Sequence, residues 1–195
     1  MQPCRLFIAA HLPDPINSIL EQRQRALRQH LGDAQTNICW TSASQFHLTL
    51  AFLGEVESTF VPAIVDILET ASKVLSPQPL QLGKCGLFCR RGVPCVLWSD
   101  VRINQEFYHW CLELRESLRP QCPALDSKEF HPHITLGRVK SGRSIDRCVL
   151  KHLFEHDELC ADQQRWNCDQ ISLVQSEHCC KGATHSVLHT FNLGK

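Results

Sequence analysis

Apolar residues recur at the three- and four-residue spacing of an amphipathic helix in four stretches of the chain. In the first stretch, Ile16 and Leu20 fall on one helical face, and Gly32 marks the end of the helix. In the third, Asn104 is suited to cap the first turn, and Pro120 prevents the helix from continuing. The four predicted helices cover residues 16–31, 59–74, 104–118 and 145–154.

Shorter apolar or alternating runs lie between these helices and predict β-strands. Two of the runs flank residues 89–94, where Gly92 and Pro94 favour a turn, so we expect them to form a hairpin. Several predicted strands follow one another without a helix between them, which favours an antiparallel α+β fold over a doubly wound parallel sheet. The predicted strands cover residues 4–10, 38–40, 46–53, 80–88, 95–101, 131–139, 170–175 and 186–193.

A short motif occurs twice within these strands. His47-Leu48-Thr49-Leu50 returns 86 positions later as His133-Ile134-Thr135-Leu136. That separation is close to half of the 195 residues and indicates two similar lobes, each with one central strand. Because residues i and i+2 of a strand share a face, the histidine and threonine of each motif point one way while the aliphatic residues point into the core.

Two imidazoles and two hydroxyls that face a common point are suited to displacement at phosphorus. Near neutral pH one histidine can be a neutral base and the other a charged acid, because the ordinary pKa of the side chain is about 6.5. Threonine hydroxyls can donate hydrogen bonds to the nonbridging phosphate oxygens. This chemistry needs no metal ion and no cofactor. The pair of motifs therefore predicts a metal-independent phosphoesterase.

Composition narrows the functional classes further. A chain with 43% hydrophobic residues can bury one core, and we expect one bilobal domain over residues 1–195. Twenty basic and twenty acidic residues leave no net charge, so the protein does not coat nucleic acid by bulk electrostatics, and an RNA substrate would be held by one end. The apolar stretch at residues 6–10 is too short for a membrane span or a signal peptide. We therefore expect a cytoplasmic monomer with no membrane association.

Twelve cysteines raise the question of disulfides or a metal site. They are scattered along a chain with an adequate apolar core and no export signal, which favours reduced thiols. No Cys-x-x-Cys occurs, and Cys85, Cys89 and Cys95 lack the spacing of a zinc ribbon. A zinc site built from His47, His131 and His133 is the other alternative, but zinc would consume the imidazoles that proton transfer needs.

The chain resembles the 2H phosphoesterase superfamily, and within it the RNA 2′,3′-cyclic phosphodiesterase branch, also called the 2′-5′ RNA ligase family. The resemblance rests on Arg5–Ala9 as the opening strand, Phe46–Gly54 as the first motif and Phe130–Arg138 as the second. It implies two lobes of antiparallel sheet with outer helices and a central cleft. It also implies opening of a ribose 2′,3′-cyclic phosphate to a 2′-phosphomonoester, and some members join or cleave 2′-5′ linked RNA.

The resemblance also implies roles for individual residues. His47 becomes the general acid, His133 the general base, and Thr49 and Thr135 hold the phosphate. Arg138 matches an arginine that is common in the family; a phosphate contact and a structural salt bridge are both open for it.

For one aromatic residue and one pair of arginines, the sequence allows either a substrate contact or a structural role. Phe52 ends the first motif and can stack on a terminal base, but strict alternation from His47 places it in the core unless the strand bulges. Arg90 and Arg91 lie in the predicted turn. Contact with an RNA backbone and simple exposure to solvent are the two alternatives for them.

One position departs from the family pattern. His185 stands where the family usually carries tyrosine, so any ligand contact made by that tyrosine is in question. The expected partner is an RNA with a 2′,3′-cyclic phosphate end or a small cyclic nucleotide. The alternatives are a 2′-5′ RNA ligase or 2′-5′ phosphodiesterase, and a non-catalytic module that binds RNA ends.

Overall fold

The computed structural model describes residues 3–155, 164–179 and 182–194. Four α-helices and nine strands occur in this part of the chain. Asn104 caps the third helix as predicted, since its side chain accepts a hydrogen bond from the Phe107 N–H at 2.8 Å. The helices are α1 (Asp14–Leu31), α2 (Val61–Lys73), α3 (Gln105–Leu118) and α4 (Arg147–Glu155).

The strands form one antiparallel sheet. The prediction of an α+β fold is confirmed. The short strand at residues 165–168 is an addition to the predicted set, and the last two strands are longer than expected. The strands are β1 (Cys4–His11), β2 (Ile38–Trp40), β3 (His47–Val56), β4 (Gln78–Arg90), β5 (Val93–Arg102), β6 (His133–Val139), β7 (Arg165–Cys168), β8 (Gln170–Cys179) and β9 (Gly182–Asn192).

The strand order divides the sheet into two equivalent halves. Along the sheet the order is β7-β4-β5-β6-β3-β1-β8-β9, with β2 paired to the free side of β6. The halves meet where β3 runs beside β6, and the one register pair between them joins Leu48 to Ile134. The unit β1-α1-β3 thus corresponds to β5-α3-β6, as the repeated motif predicts. The sparse pairing at the joint leaves room for a cleft between the halves.

A β-bulge follows the motif in the first half. The pairing of β3 with β1 skips Leu50, so the strand gains one residue without a partner. Leu50 and Ala51 are both buried in consequence. The alternation of faces shifts by one residue at a bulge. Phe52 therefore lies on the same face as Thr49 and His47, and not on the core side that strict alternation gives.

The second half has a bulge at the equivalent position. The pairing of β6 with β5 passes from Thr135 to Gly137 and skips Leu136. Leu136 and Gly137 are buried, and a Cβ at Gly137 would lie 2.6 Å from the Ile38 side chain. The bulge turns Arg138 to the face of His133 and Thr135. Phe52 and Arg138 are thus matched residues of the two halves.

The helices cover the opposite face of the sheet and enclose the main core. Helix α1 follows β1 in sequence, yet two of its buried side chains, Arg23 and Gln24, bind the strands of the other half. Arg23 donates to the Gly83 carbonyl at 2.9 Å and to Ser99 Oγ at 2.5 Å. Gln24 Nε2 donates to the Leu136 carbonyl at the bulge, at 2.6 Å. These bonds satisfy buried polar groups and fix α1 across the joint.

Helix α3 makes the reciprocal crossing. It follows β5 but packs on α2 and β3 of the first half. Trp110 Nε1 donates to the Ala71 carbonyl of α2 at 3.0 Å. Among the described helices, none is long and apolar enough to cross a membrane.

Strand β6 begins two residues later than predicted. His131 and Pro132 precede its first residue, His133. Pro132 has no N–H to donate to a neighbouring strand, which agrees with its place before the ladder. His131 therefore does not belong to the regular alternation of His133 and Thr135.

Candidate active site

The two motifs come together at the joint between the halves. Leu48 pairs with Ile134, and both side chains are fully buried. In an antiparallel pair this register sets His47 beside Thr135 and Thr49 beside His133. All four side chains are partly buried and lie on the face opposite the main core. We call this face of β3 and β6, with His47, Thr49, His133 and Thr135, the cleft.

Each histidine is anchored through its Nδ1 atom. His47 Nδ1 lies 2.7 Å from the Gln45 carbonyl, and His133 Nδ1 lies 2.7 Å from the His131 carbonyl. A carbonyl oxygen can only accept, so the proton of each neutral imidazole must reside on Nδ1. Nε2 is then the atom of each ring that takes or gives a proton. The same two-residue step back along the chain supplies the carbonyl in both halves.

Around His47, the first half supplies an apolar wall and other imidazoles. The Phe7 ring lies 4.8 Å from the His47 ring, and the His185 ring lies 5.2 Å from it in an edge-on arrangement. The pKa of His47 is lowered to about 4, chiefly by burial; the hydrogen bond to Gln45 opposes this, and the nearby His185 and His11 lower it further.

His133 has a different set of neighbours. The Phe88 ring lies 4.9 Å from it, and Trp98 and His131 complete an aromatic wall. Burial lowers the pKa of His133, whereas the hydrogen bond to His131 raises it. The charges of His131 and Arg138 lower the pKa, and Asp100, which pairs with His133 across β5 and β6, raises it. Its carboxylate lies 3.8 Å from His131 Nε2.

The two threonines are placed to bind a ligand. Thr49 and Thr135 are partly buried, on the face of the two histidines. Among the described residues, neither hydroxyl hydrogen-bonds to another protein group. A partly buried hydroxyl without a protein partner can donate to a bound oxyanion at little cost in lost bonds.

The bulges bring two further predicted residues into the cleft. Phe52 packs on Phe7, Ala9 and Val174, a small apolar cluster separate from the main core. The Arg5 guanidinium lies 5.0 Å from the centre of the Phe52 ring. Arg138 is exposed on the matched position of the second half. The structure thus brings together all six residues predicted for the site.

Sequence reasoning overlooks the aromatic walls. It assigns Phe88 and Trp98 to strands and gives them no place in the site. The available signal is Gly86, because a glycine within a strand often marks a close approach. A Cβ at Gly86 would overlap the Trp98 ring, so this glycine lets Trp98 lie across β4 beside His131.

Neither metal alternative has the geometry of a binding site. Within residues 3–155, 164–179 and 182–194, no three His, Cys, Asp or Glu side chains are grouped to hold an ion. His131 contributes its carbonyl to His133 and its ring to the aromatic wall. Nine of the cysteines in this part of the chain are free thiols.

The sequence model of the 2′-5′ RNA ligase superfamily matches residues 13–178. This range includes both His-x-Thr strands and most of the chain. The chain belongs to the 2′-5′ RNA ligase superfamily. It is an enzyme of the phosphoesterase class, as the resemblance of its motifs predicts.

The similar proteins match between about three quarters and nearly all of the chain. The RNA 2′,3′-cyclic phosphodiesterase of Thermus thermophilus is 28% identical over 97% of this chain and 90% of its own. The protein of the same name from Geobacillus stearothermophilus is 27% identical over 74% of this chain, which spans only 45% of that longer relative. The crystal structure of TT0787, also from Thermus thermophilus, superposes with a TM-score of 0.78 at 25% identity, over 97% of this chain and 98% of its own.

Proposed function

We propose that this phosphoesterase opens a terminal ribose 2′,3′-cyclic phosphate of RNA to a 2′-phosphomonoester, without a metal ion. The observation that carries the proposal is the matched anchoring of His47 and His133, which leaves two Nε2 atoms beside two threonine hydroxyls in one cleft. The name of the Thermus thermophilus relative supports the choice of substrate.

The reaction needs one proton acceptor and one proton donor. Water attacks phosphorus and loses a proton to the neutral Nε2 of the base. The bond from phosphorus to O3′ breaks, and O3′ takes a proton from the charged Nε2–H of the acid. The product carries a 2′-phosphate and a 3′-hydroxyl. Positioned proton transfer of this kind contributes about 10²- to 10⁴-fold to the rate.

Thr49 and Thr135 hold the nonbridging oxygens through the transition state. Each hydroxyl lies beside the histidine of the other motif, so one phosphate can contact all four groups. Hydrogen bonds from preorganised donors are strongest where charge develops in a site shielded from water. Trp98, Phe88 and Phe7 provide that shielding.

Phe52 and Arg138 bind the terminal nucleotide. The Phe52 ring rests on a fixed apolar cluster, so it offers a rigid surface for a base. Arg138 comes from the matched bulge across the cleft. Its planar guanidinium can stack on a base or pair with a phosphate oxygen.

By resemblance, His47 is the acid and His133 the base. The surroundings of the two rings favour the reverse order. Burial and other imidazoles lower the pKa of His47 to about 4, while around His133 the carboxylate of Asp100 offsets part of the lowering by burial, His131 and Arg138. A bound phosphate is anionic and raises the pKa of both rings. We retain His47 as the acid that takes up its proton with the substrate.

The activity is tested with an RNA oligomer that ends in a 2′,3′-cyclic phosphate, incubated in EDTA. We expect complete conversion to the 2′-monoester, identified by its resistance to an enzyme specific for 3′-phosphates. Formation of the 3′-monoester would mean that O2′, and not O3′, is the leaving oxygen. Binding without any turnover would instead favour the non-catalytic module, and turnover of 2′-5′ linked oligomers alone would favour the 2′-5′ phosphodiesterase.

The roles are separated with a substrate whose O3′ is replaced by sulfur. A thiolate leaves without protonation, so loss of the acid no longer slows the reaction. We expect His47→Ala to recover most of the wild-type rate on this substrate and His133→Ala to remain slow. The opposite pattern would make His133 the acid.

A further inference from the structure

Four cationic side chains line a separate groove at the end of β4, β5 and β6. We call it the basic groove; it consists of Arg90, Arg91, Lys140 and Arg143. Its volume is about 420 Å³, between the turn that joins β4 to β5 and the loop that follows β6. No aspartate or glutamate is among its lining residues. The whole chain has no net charge, so this concentration of positive charge is local.

The guanidinium groups of the basic groove are not used by the protein itself. Arg90, Arg91 and Arg143 are exposed. In the part of the chain that the structure describes, none of the three pairs with a carboxylate. Lys140 is held by a hydrogen bond from Nζ to the Thr36 carbonyl at 2.7 Å, which leaves its charge unneutralised.

The turn itself supports a functional use. Arg91 has a φ of +51° and is the one non-glycine residue with positive φ in the described chain. Asn, Asp or Gly normally occupies that position of a two-residue hairpin turn. An arginine there costs conformational energy, and such strain tends to be found where a side chain has a function.

The basic groove continues the face of the active site. Phe88 contacts the His133 ring, and Arg90 lies two residues farther along β4 on the same face. Along the chain, Arg138 of β6 lies between Thr135 and Lys140, the first residue after the strand. Four residues of strand separate Thr135 from the end of β6 at Val139, about 13 Å at the usual rise. A strand of RNA that leaves the cleft past Arg138 therefore enters the groove.

We propose that the basic groove binds the phosphodiester backbone of RNA upstream of the terminal cyclic phosphate. This inference rests on the proposed function, because it assigns a longer RNA to the same site. Guanidinium groups bind phosphate oxygens in a bidentate manner. The continuity with the cleft favours RNA over an acidic protein as the occupant.

The test compares a nucleoside 2′,3′-cyclic phosphate with a ten-nucleotide RNA that has the same end. The groove variant is Arg90→Gln, Arg91→Asn and Arg143→Gln; asparagine tolerates the positive φ of residue 91. We expect the variant to lose roughly 10-fold in kcat/KM on the long RNA and nothing on the mononucleotide. The negative slope of log kcat/KM against log salt should become shallower by about 2, because each of the three lost phosphate contacts removes about 0.7.

A matched variant removes the same charge elsewhere. Arg25, Arg102 and Arg165 are exposed and lie outside the groove, and their triple substitution by glutamine should leave the long RNA unaffected. A second control replaces the upstream linkages of the RNA by neutral methylphosphonates, which should remove the advantage of length in the wild type. Equal losses in both triple variants, or on both substrates, would overturn the proposal.

Failure of the groove and failure of the proposed function give different results. If no cyclic phosphate is turned over, the function fails, and the groove is still tested by fluorescence anisotropy with a labelled RNA that ends in a 3′-hydroxyl. We expect the groove variant to bind it more weakly than the matched variant. Equal binding, or equally effective competition by an acidic peptide, would rule out an RNA backbone site.

Discussion

The two half-sites share a backbone and differ in their surroundings. His47 and His133 each bind the carbonyl two residues earlier through Nδ1, and each is followed by a threonine and then by a β-bulge. Around His47 the ionisable neighbours are imidazoles, whereas those around His133 are the carboxylate of Asp100, the imidazole of His131 and the guanidinium of Arg138. The repeated strand thus fixes where the reacting atoms lie, and the residues around it differentiate the two histidines.

Removal of either imidazole tests whether both half-sites are needed. We expect His47→Ala and His133→Ala each to lower kcat by about 10²- to 10⁴-fold on a natural cyclic phosphate. The double variant should be little worse than the weaker single variant, because the two act as a unit. Near-normal turnover in either single variant would contradict a two-histidine mechanism. Circular dichroism checks that the fold is retained.

The threonines should have effects that are smaller but matched. Thr49→Val and Thr135→Val keep the shape and remove one donor to the phosphate, with an expected loss of about 10²-fold in kcat. Thr49→Ser and Thr135→Ser are the controls and should keep most of the activity. A large effect at one threonine and none at the other would mean that the phosphate is bound by one half only.

The pH dependence should change when substrate binds. The acid must be protonated and the base neutral, so activity falls above the pKa of the first and below that of the second. In the free enzyme both pKa values lie below 6.5, that of His47 at about 4. The optimum of kcat/KM should therefore lie between about pH 4 and 6.5. Bound phosphate raises both values, so the kcat optimum should lie at higher pH; coincident optima would contradict this.

The neighbours of the two histidines should shift their pKa values in opposite directions. His185→Phe removes an imidazole that lowers the pKa of His47, so that pKa should rise. Asp100→Asn removes a carboxylate that raises the pKa of His133, so that pKa should fall. Titration of the ring protons by NMR measures both. Each substitution serves as the control for the other, since it should shift the pKa of its own neighbouring histidine more than that of the other, to which it is coupled only through the first.

Most elements can be predicted from the sequence, because the helical and strand periods are long and regular in α1, β1 and α3. The bulges cannot, because a bulge is set by pairing with a neighbouring strand. For that reason the sequence does not determine whether the Phe52 side chain lies in the core or in the cleft. The four-residue strand at 165–168 escapes prediction because so short a run carries little pattern. The cytoplasmic location, the monomeric state and the single domain stay predictions.

The crossed packing of α1 has a consequence for how the molecule folds. Arg23 and Gln24 follow β1 of the first half of the sheet, but they donate hydrogen bonds to β4, β5 and β6 of the second half. In the other direction, Trp110 of α3 donates to α2. Because these bonds cross the joint, and β1 also pairs with β8, the chain cut between β3 and β4 should give two fragments that do not fold alone and fold when mixed. The intact chain should unfold on heating in a single calorimetric transition.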